Sequence, residues 1–387
     1  MKKSRVLSIT NNPNYFYQMP QPSFKNAHII NVPSEEHFIN EYLSNGYIGV
    51  GLVLRRISPQ SLSRACRTSY SMFADMKTIR QGDIIFVHAG QNIYGAFRAE
   101  SEFKESPVIP APYQSTNIHY YPKPDDPNTG WQNQINELPD LGDFRQISIS
   151  HYVDEDHNNL CFQEGISSTE IFDLRSKKKI FSVPERWLYT DSSRTIRPLL
   201  FNEAVEILKL IESKNSDING RHEVTPKNLN NFNNISFVLN PNIVQDEKII
   251  EGYILSQLGQ NPEVDNHFGK FHSFGNNIPG GYLKFMDIFG YQSFVTDTKK
   301  YKVVEIKKNH ASFPNDINQV IGYTDWVIEN LASGIVKNVE GILVAKGFTD
   351  ETVQLVSNLQ GFGRNIKLIS FNYSENNFDQ LDFTRIA

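Results

Sequence analysis

Cysteine is nearly absent: the 387 residues hold two, Cys66 and Cys161. Two thiols cannot staple a disulfide framework or build a four-thiolate zinc site, so a reducing, cytoplasmic setting is expected. Long apolar runs are missing too. The ~20 consecutive apolar residues of a membrane helix occur nowhere, so no membrane partner is expected. The opening MKKSRVLSITNN lacks the apolar centre of a secretion signal. There is no repeat at solenoid periods and no low-complexity tract. Nor is there an excess of positive charge: 38 Lys+Arg against 43 Asp+Glu give a net charge of −5. That balance argues against a chain that coats nucleic acid indiscriminately, but steering depends on where charges lie.

What is present is an ordinary globular composition, 39% hydrophobic and 21% charged, with length enough for two or three domains. Residues 1–200 read as an N-terminal domain, of which 1–110 are β-rich. Short apolar runs stand at 47–54, 83–90 and 93–101, the last two forming a hairpin across Gly90-Gln91-Asn92. A helix is predicted to start at Ser58-Pro59. Residues 109–143, rich in Pro, Asp and Asn, read as a long excursion, and strands are predicted to resume across 145–183, the last at KKIFSV. Residues 201–245 read as a helix followed by a polar, Asn-rich linker. From 246 to 387 the pattern is α/β: an amphipathic helix at 246–258, strands at 282–289, 291–296 and 301–307, a helix at 315–333 capped by Asn315, then strand, helix and strand.

The chemistry concentrates in this last region. In Tyr301–Lys307 alternate side chains share a face, so Glu305 and Lys307 point one way while Val304 and Ile306 point into the core. Asp287 interrupts an apolar strand, where a carboxylate is costly unless paired or bound to metal. The intervening turn makes the two strands neighbours and brings Asp287 to Glu305, an oxygen-rich pair suited to Mg²⁺. Glu251 lies on the preceding helix. Gln319 and Tyr323, spaced i, i+4, share a face of the following one. Taken singly, Glu305 and Lys307 fit a solvated surface pair, Asp287 a bulge cap and Glu251 an ordinary surface acid; the ordered set favours a site.

That order (helix with Glu251, strand with Asp287, strand with Glu305-Ile306-Lys307, helix with Gln319 and Tyr323) resembles the PD-(D/E)xK nuclease superfamily, notably its RecB-like and NucS-like branch. Lys284-Phe285-Met286 departs from that branch's frequent glycine and arginine before the aspartate. The resemblance implies a restriction-endonuclease-like mixed sheet flanked by helices and phosphodiester hydrolysis with Mg²⁺ or Mn²⁺. It implies a metal held by Asp287, Glu305 and the Ile306 carbonyl, with Lys307 working on the attacking water. Glu251 would attend a second metal, and Gln319 and Tyr323 would brace the site.

In the N-terminal half, Gly82-Asp83-Ile84-Ile85-Phe86 followed by Ile93-Tyr94-Gly95-Ala96-Phe97 is similar to the hairpin of PUA-like domains of EVE and YTH type, which implies a small barrel that binds nucleic acid and often holds a modified base. Independently, residues 55–67 carry Arg55, Arg56, Arg64 and Arg67 with no acid. Such residues suit phosphate contacts, and equally a helix face turned to water. Tyr94, Phe97 and Trp131 are the aromatic candidates for base stacking. The expected function is a modification-dependent DNA endonuclease of restriction type, acting as a homodimer on DNA. The alternatives are a sequence-specific restriction enzyme, a repair nuclease, or a DNA-binding protein with a silent nuclease fold.

Overall fold

The computed structural model describes residues 26–32, 36–51, 64–106, 144–152, 161–183, 195–215, 224–235, 247–281, 284–292, 299–373 and 380–387. Among these the chain is mixed α/β, with two mixed sheets and eight α-helices. No helix among them is long and apolar enough to cross a membrane.

The first sheet holds β1 (Ala27–Val32), β2 (Tyr47–Gly51), β3 (Ile84–Ala89), β4 (Asn92–Ala99), β5 (Lys104–Glu105), β6 (Phe144–His151), β7 (Cys161–Ser167), β8 (Ile196–Leu199) and β9 (Asn233–Asn234). Its order is β8-β1-β3-β4-β6-β5-β9, with β2 added on β6 and β7 on β4. The β3–β4 hairpin forms where the turn residues predict it, with Gly90 at φ +58°. Four helices accompany this sheet: α1 (Glu36–Asn45), α2 (Arg64–Thr78), α3 (Ser168–Ser176) and α4 (Phe201–Asn215). The start predicted for α2 at Ser58-Pro59 and the excursion at 109–143 lie outside the described residues.

One expected strand is absent. KKIFSV follows α3 as irregular chain, with Lys178 at φ +58°. Its backbone does not pair with a strand. Instead the N–H groups of Phe181 and Ser182 donate to Glu203 Oε1 at 2.6 and 2.9 Å, so a buried carboxylate replaces the ladder. Helix α3 itself is a local product: Glu170 accepts from the Ser167 N–H at 3.2 Å, three residues back, at the start of the helix.

The second unit runs α5 (Glu247–Gln257), α6 (Pro262–Phe268), β10 (Ser273–Pro279), β11 (Phe285–Gln292), β12 (Lys300–Ile306), α7 (Asn315–Asn330), β13 (Val339–Ala345), α8 (Asp350–Gly361), β14 (Asn365–Tyr373) and β15 (Leu381–Arg385). The strands lie in sequence order: β10, β11 and β12 are antiparallel, β12 to β14 parallel, and β15 antiparallel. Alternation along β13 explains the layering. Ile342 and Val344 join α5 residues Ile250 and Ile254 in one core, while Leu343 and Ala345 join Ile317 and Val320 of α7 in another.

Three expectations need correction here. Where they are described, the predicted strands 282–289 and 291–296 run on as one strand, β11 (Phe285–Gln292), because Gly290 is not a break; 282–283 and 293–296 lie outside the described residues. A Cβ at Gly290 would stand 2.5 Å from Ser273 O and from the Phe271 ring, so the glycine admits close approach of β10. Asn315 is the first helical residue of α7, and Pro314 takes the cap position without a side-chain bond. Asp316 accepts instead from the Ser312 N–H at 2.7 Å. Helix α5 is not amphipathic: every residue from Ile249 to Leu255 is buried. The reason is that α2 covers its outer side; Arg80, just beyond α2, donates to the Leu255, Ser256 and Leu258 carbonyls at 2.7, 3.2 and 3.2 Å. Those are orphan acceptors at the end of α5, and a guanidinium suits them.

The two sheets share a core. Ala204, Ile207 and Ile211 of α4 pack with Ile29 and Phe86 of the first sheet and with Ile278 and Phe289 of the second.

Candidate active site

The site lies where β11, β12, α5 and α7 meet. Ile288 faces Val304 across β11 and β12, so one step along that register sets Asp287 opposite Glu305. The Ile306 N–H donates to Asp287 Oδ2 at 2.9 Å. Val304 and Ile306 are fully buried in the core under α5, as the alternation predicts. Glu305, however, is only 3% exposed and is no surface acid. Its Oε1 accepts from Lys307 Nζ at 2.6 Å, and its Oε2 is buried without a hydrogen-bond partner.

Lys307 Nζ also reaches Gln319 Oε1 at 3.3 Å. Gln319 Nε2 donates to the Tyr323 hydroxyl at 2.9 Å, and that hydroxyl donates to Phe285 O at 2.7 Å. The i, i+4 pair on α7 is therefore a brace that ends on β11 and fixes the lysine.

Glu251 is fully buried on α5. It accepts from Asn276 Nδ2 at 2.8 Å, from Asn277 Nδ2 at 3.4 Å, and from the Lys248 ammonium. Lys248 Nζ also donates to Asp287 Oδ1 at 3.2 Å and to Asn277 Oδ1 at 3.0 Å. Sequence reasoning missed Lys248, Asn276 and Asn277. Lys248 and Glu251 stand i, i+3 on a helix, a spacing that signals a pair. The asparagines lie on strand β10.

Burial and mutual repulsion shape the titration. Burial first, then the Asp287 charge, push Glu305 up to about 8 against the opposing pull of Lys307. Burial likewise pushes Glu251 up to about 7, opposed by Lys248 and helped by Asp287. Glu247, whose Oε1 accepts from the Lys308 N–H at 3.4 Å, is raised mainly by burial. For Lys307 burial works against the charge, yet Glu305, Glu247 and Asp287 outweigh it and raise the ammonium. With all its carboxylates ionised the site would hold more negative charge than its two lysines balance, and the raised Glu305 and Glu251 carboxyls keep protons in answer to it.

That surplus fits a divalent cation. An unpartnered carboxylate oxygen inside the protein is costly, and a cation at Asp287 and Glu305 would relieve both the desolvation and the repulsion. Among the described residues no three His, Cys, Asp or Glu side chains form a metal cage by themselves. Further oxygens would come from the Ile306 carbonyl and solvent.

The other candidates are scattered. Phe97 is enclosed in the core with Ile85 and Ile147, leaving its ring no accessible face, and Tyr94 packs partly buried against the same core. Arg64 and Arg67 lie in the first turn of α2. Arg55, Arg56 and Trp131 lie outside the described residues. Among nearby lysines, Lys302 is buried on Glu340 at 3.3 Å, and Lys299 lies 4.8 Å from the Tyr291 ring centroid. Compared with known proteins, the chain matches no family model and no curated protein.

Proposed function

We propose that the chain is a Mg²⁺- or Mn²⁺-dependent DNA endonuclease. The observation that carries this reading is the Glu305 carboxylate: one oxygen bound to Lys307, the other buried and unpartnered, beside Asp287. Asp287, Glu305 and the Ile306 carbonyl would hold the ion. When bound, the ion supplies Lewis-acid charge to the phosphate and lowers the pKa of water. Lys307 orients the attacking water and stabilises negative charge gathering on the phosphate oxygens. Gln319 and Tyr323 keep its ammonium aimed. The succession α5, antiparallel β10–β11–β12, α7 and parallel β13 supports a restriction-endonuclease-like arrangement. In this reading the N-terminal sheet selects the target, including a modified base, and a homodimer cuts both strands.

The test is incubation with Mg²⁺ and paired plasmids, unmodified or carrying methylated or hydroxymethylated bases. Nicking or linearisation of the modified plasmid alone is expected. Binding without cleavage of any DNA sinks the enzyme reading, and equal cutting of both plasmids sinks modification dependence.

A further inference from the structure

The Lys248 ammonium donates to Glu251 Oε2, to Asn277 Oδ1 at 3.0 Å and to Asp287 Oδ1 at 3.2 Å. Carboxylate, amide carbonyl and carboxylate are the ligand types a hard divalent cation takes. Here they close on a lysine. Each contributor is itself held in place. Asn276 and Asn277 fix Glu251, and the Ile306 N–H fixes the far oxygen of Asp287. Asn277 sits at φ +52° within β10, a left-handed conformation that asparagine tolerates better than most residues. Its side chain meets Lys248 and Glu251 there, and the local strain belongs to the cage. The neighbouring carboxylate, Glu305, is not part of this cage and keeps a buried oxygen without a partner.

We propose that Lys248 is an internal cation occupying the Glu251–Asn277–Asp287 cage, so that the site binds one divalent ion, at Asp287 and Glu305, and excludes a second. The proposal rests on the metal-dependent reading above and changes the role of Glu251, which anchors Lys248 and ligates no metal. Removing the ammonium leaves Glu251 and Asp287 facing each other across a vacated oxygen cage. A divalent ion replaces the lost positive charge there.

The experiment counts Mn²⁺ bound to the full chain, from the electron paramagnetic resonance signal of the free ion during titration, without DNA. One ion per chain is expected for the wild type and two for Lys248→Ala, with circular dichroism reporting the fold. Where Lys248→Ala does not fold, Lys248→Ser, which also vacates the cage, serves for the same count. Two ions in the wild type, or one in a folded variant, overturn the proposal while leaving the nuclease reading intact. A wild type that binds no Mn²⁺ overturns both. The Glu305→Gln chain tells the positions apart: its single ion is lost if Glu305 holds it, whereas a retained ion contradicts the assignment.

Discussion

Glu203 and Glu305 are both buried glutamates, and they are built oppositely. Glu203, on α4, accepts from the Phe181, Ser182 and Leu200 N–H groups at 2.6, 2.9 and 2.9 Å and from the Ser182 hydroxyl. Its donors come from the chain it pins, so its burial is structural. Glu305 has a single donor, Lys307, and one oxygen with none. In the first sheet His28 meets Asp83 at 3.1 Å, and His88 joins Asn31 Oδ1 at 2.6 Å to Ser168 Oγ at 2.9 Å. The His88 ring is satisfied at both nitrogens, whereas His28 Nδ1 is buried without a hydrogen-bond partner. At the end of β12 the carboxylates crowd each other. A buried acid with a full donor shell holds a fold; one left short beside another acid is prepared for something the chain does not itself supply.

The comparison breaks most visibly through Lys307. Lys307→Ala is expected to lower plasmid cleavage by about 10³-fold or more, at the upper end for loss of a charge-stabilising donor, with DNA binding in gel shifts retained. Substantial residual cleavage rejects its role. Next come the two glutamates. Glu203→Ala leaves four donors unpaired at about 1–3 kcal/mol each, so denaturant unfolding should show a loss of roughly 4 kcal/mol or more. Glu305→Gln should change stability by less than about 1 kcal/mol, a surface-like response for so buried a position. Equal losses in the two variants would erase the distinction.

The pH response of the first sheet is a smaller effect. Burial, and then the Arg197 charge, push His88 down to about 4. Its Nδ1 faces an amide oxygen, which only accepts, so the neutral ring donates there and accepts from Ser168 at Nε2. A lowered folded-state pKa means stability is fully present above the unfolded value near 6.5. It is lost as pH falls toward 4, on the order of 3 kcal/mol in all. Melting temperature should drop over that window in the wild type and far less in His88→Gln; parallel curves would refute the assignment. Smallest is Glu206→Ala. Glu206 is one turn from Glu203 and pairs with Lys179 at 2.5 Å and Lys209 at 2.7 Å near the surface. Less than about 1 kcal/mol should be lost on unfolding.

The parts of the site legible in the sequence are those fixed by short-range periodicity. Glu305 and Lys307 share a strand face at i, i+2, Gln319 and Tyr323 a helix face at i, i+4, and a hairpin makes Asp287 their neighbour. Lys248, Asn276 and Asn277 were not legible, because what unites them is the packing of α5 against β10. KKIFSV failed for the same reason: its strand-like pattern is real, but Glu203, more than twenty residues later, takes its backbone donors. Phe97 shows the reverse error, since an aromatic in a hairpin suits a stacking platform and a core equally, and burial alone distinguishes them.

By itself, then, the sequence determined the alternation of elements, the hairpin at Gly90, a helix from residue 201 and the order of Asp287, Glu305 and Lys307, all set by local geometry and side-chain periodicity. Tertiary structure alone decided that Glu305 is buried and short of a donor, that α5 is enclosed by α2, and that a lysine sits between Glu251 and Asp287. Burial and charge balance depend on what packs from elsewhere in the chain, and no local pattern encodes that.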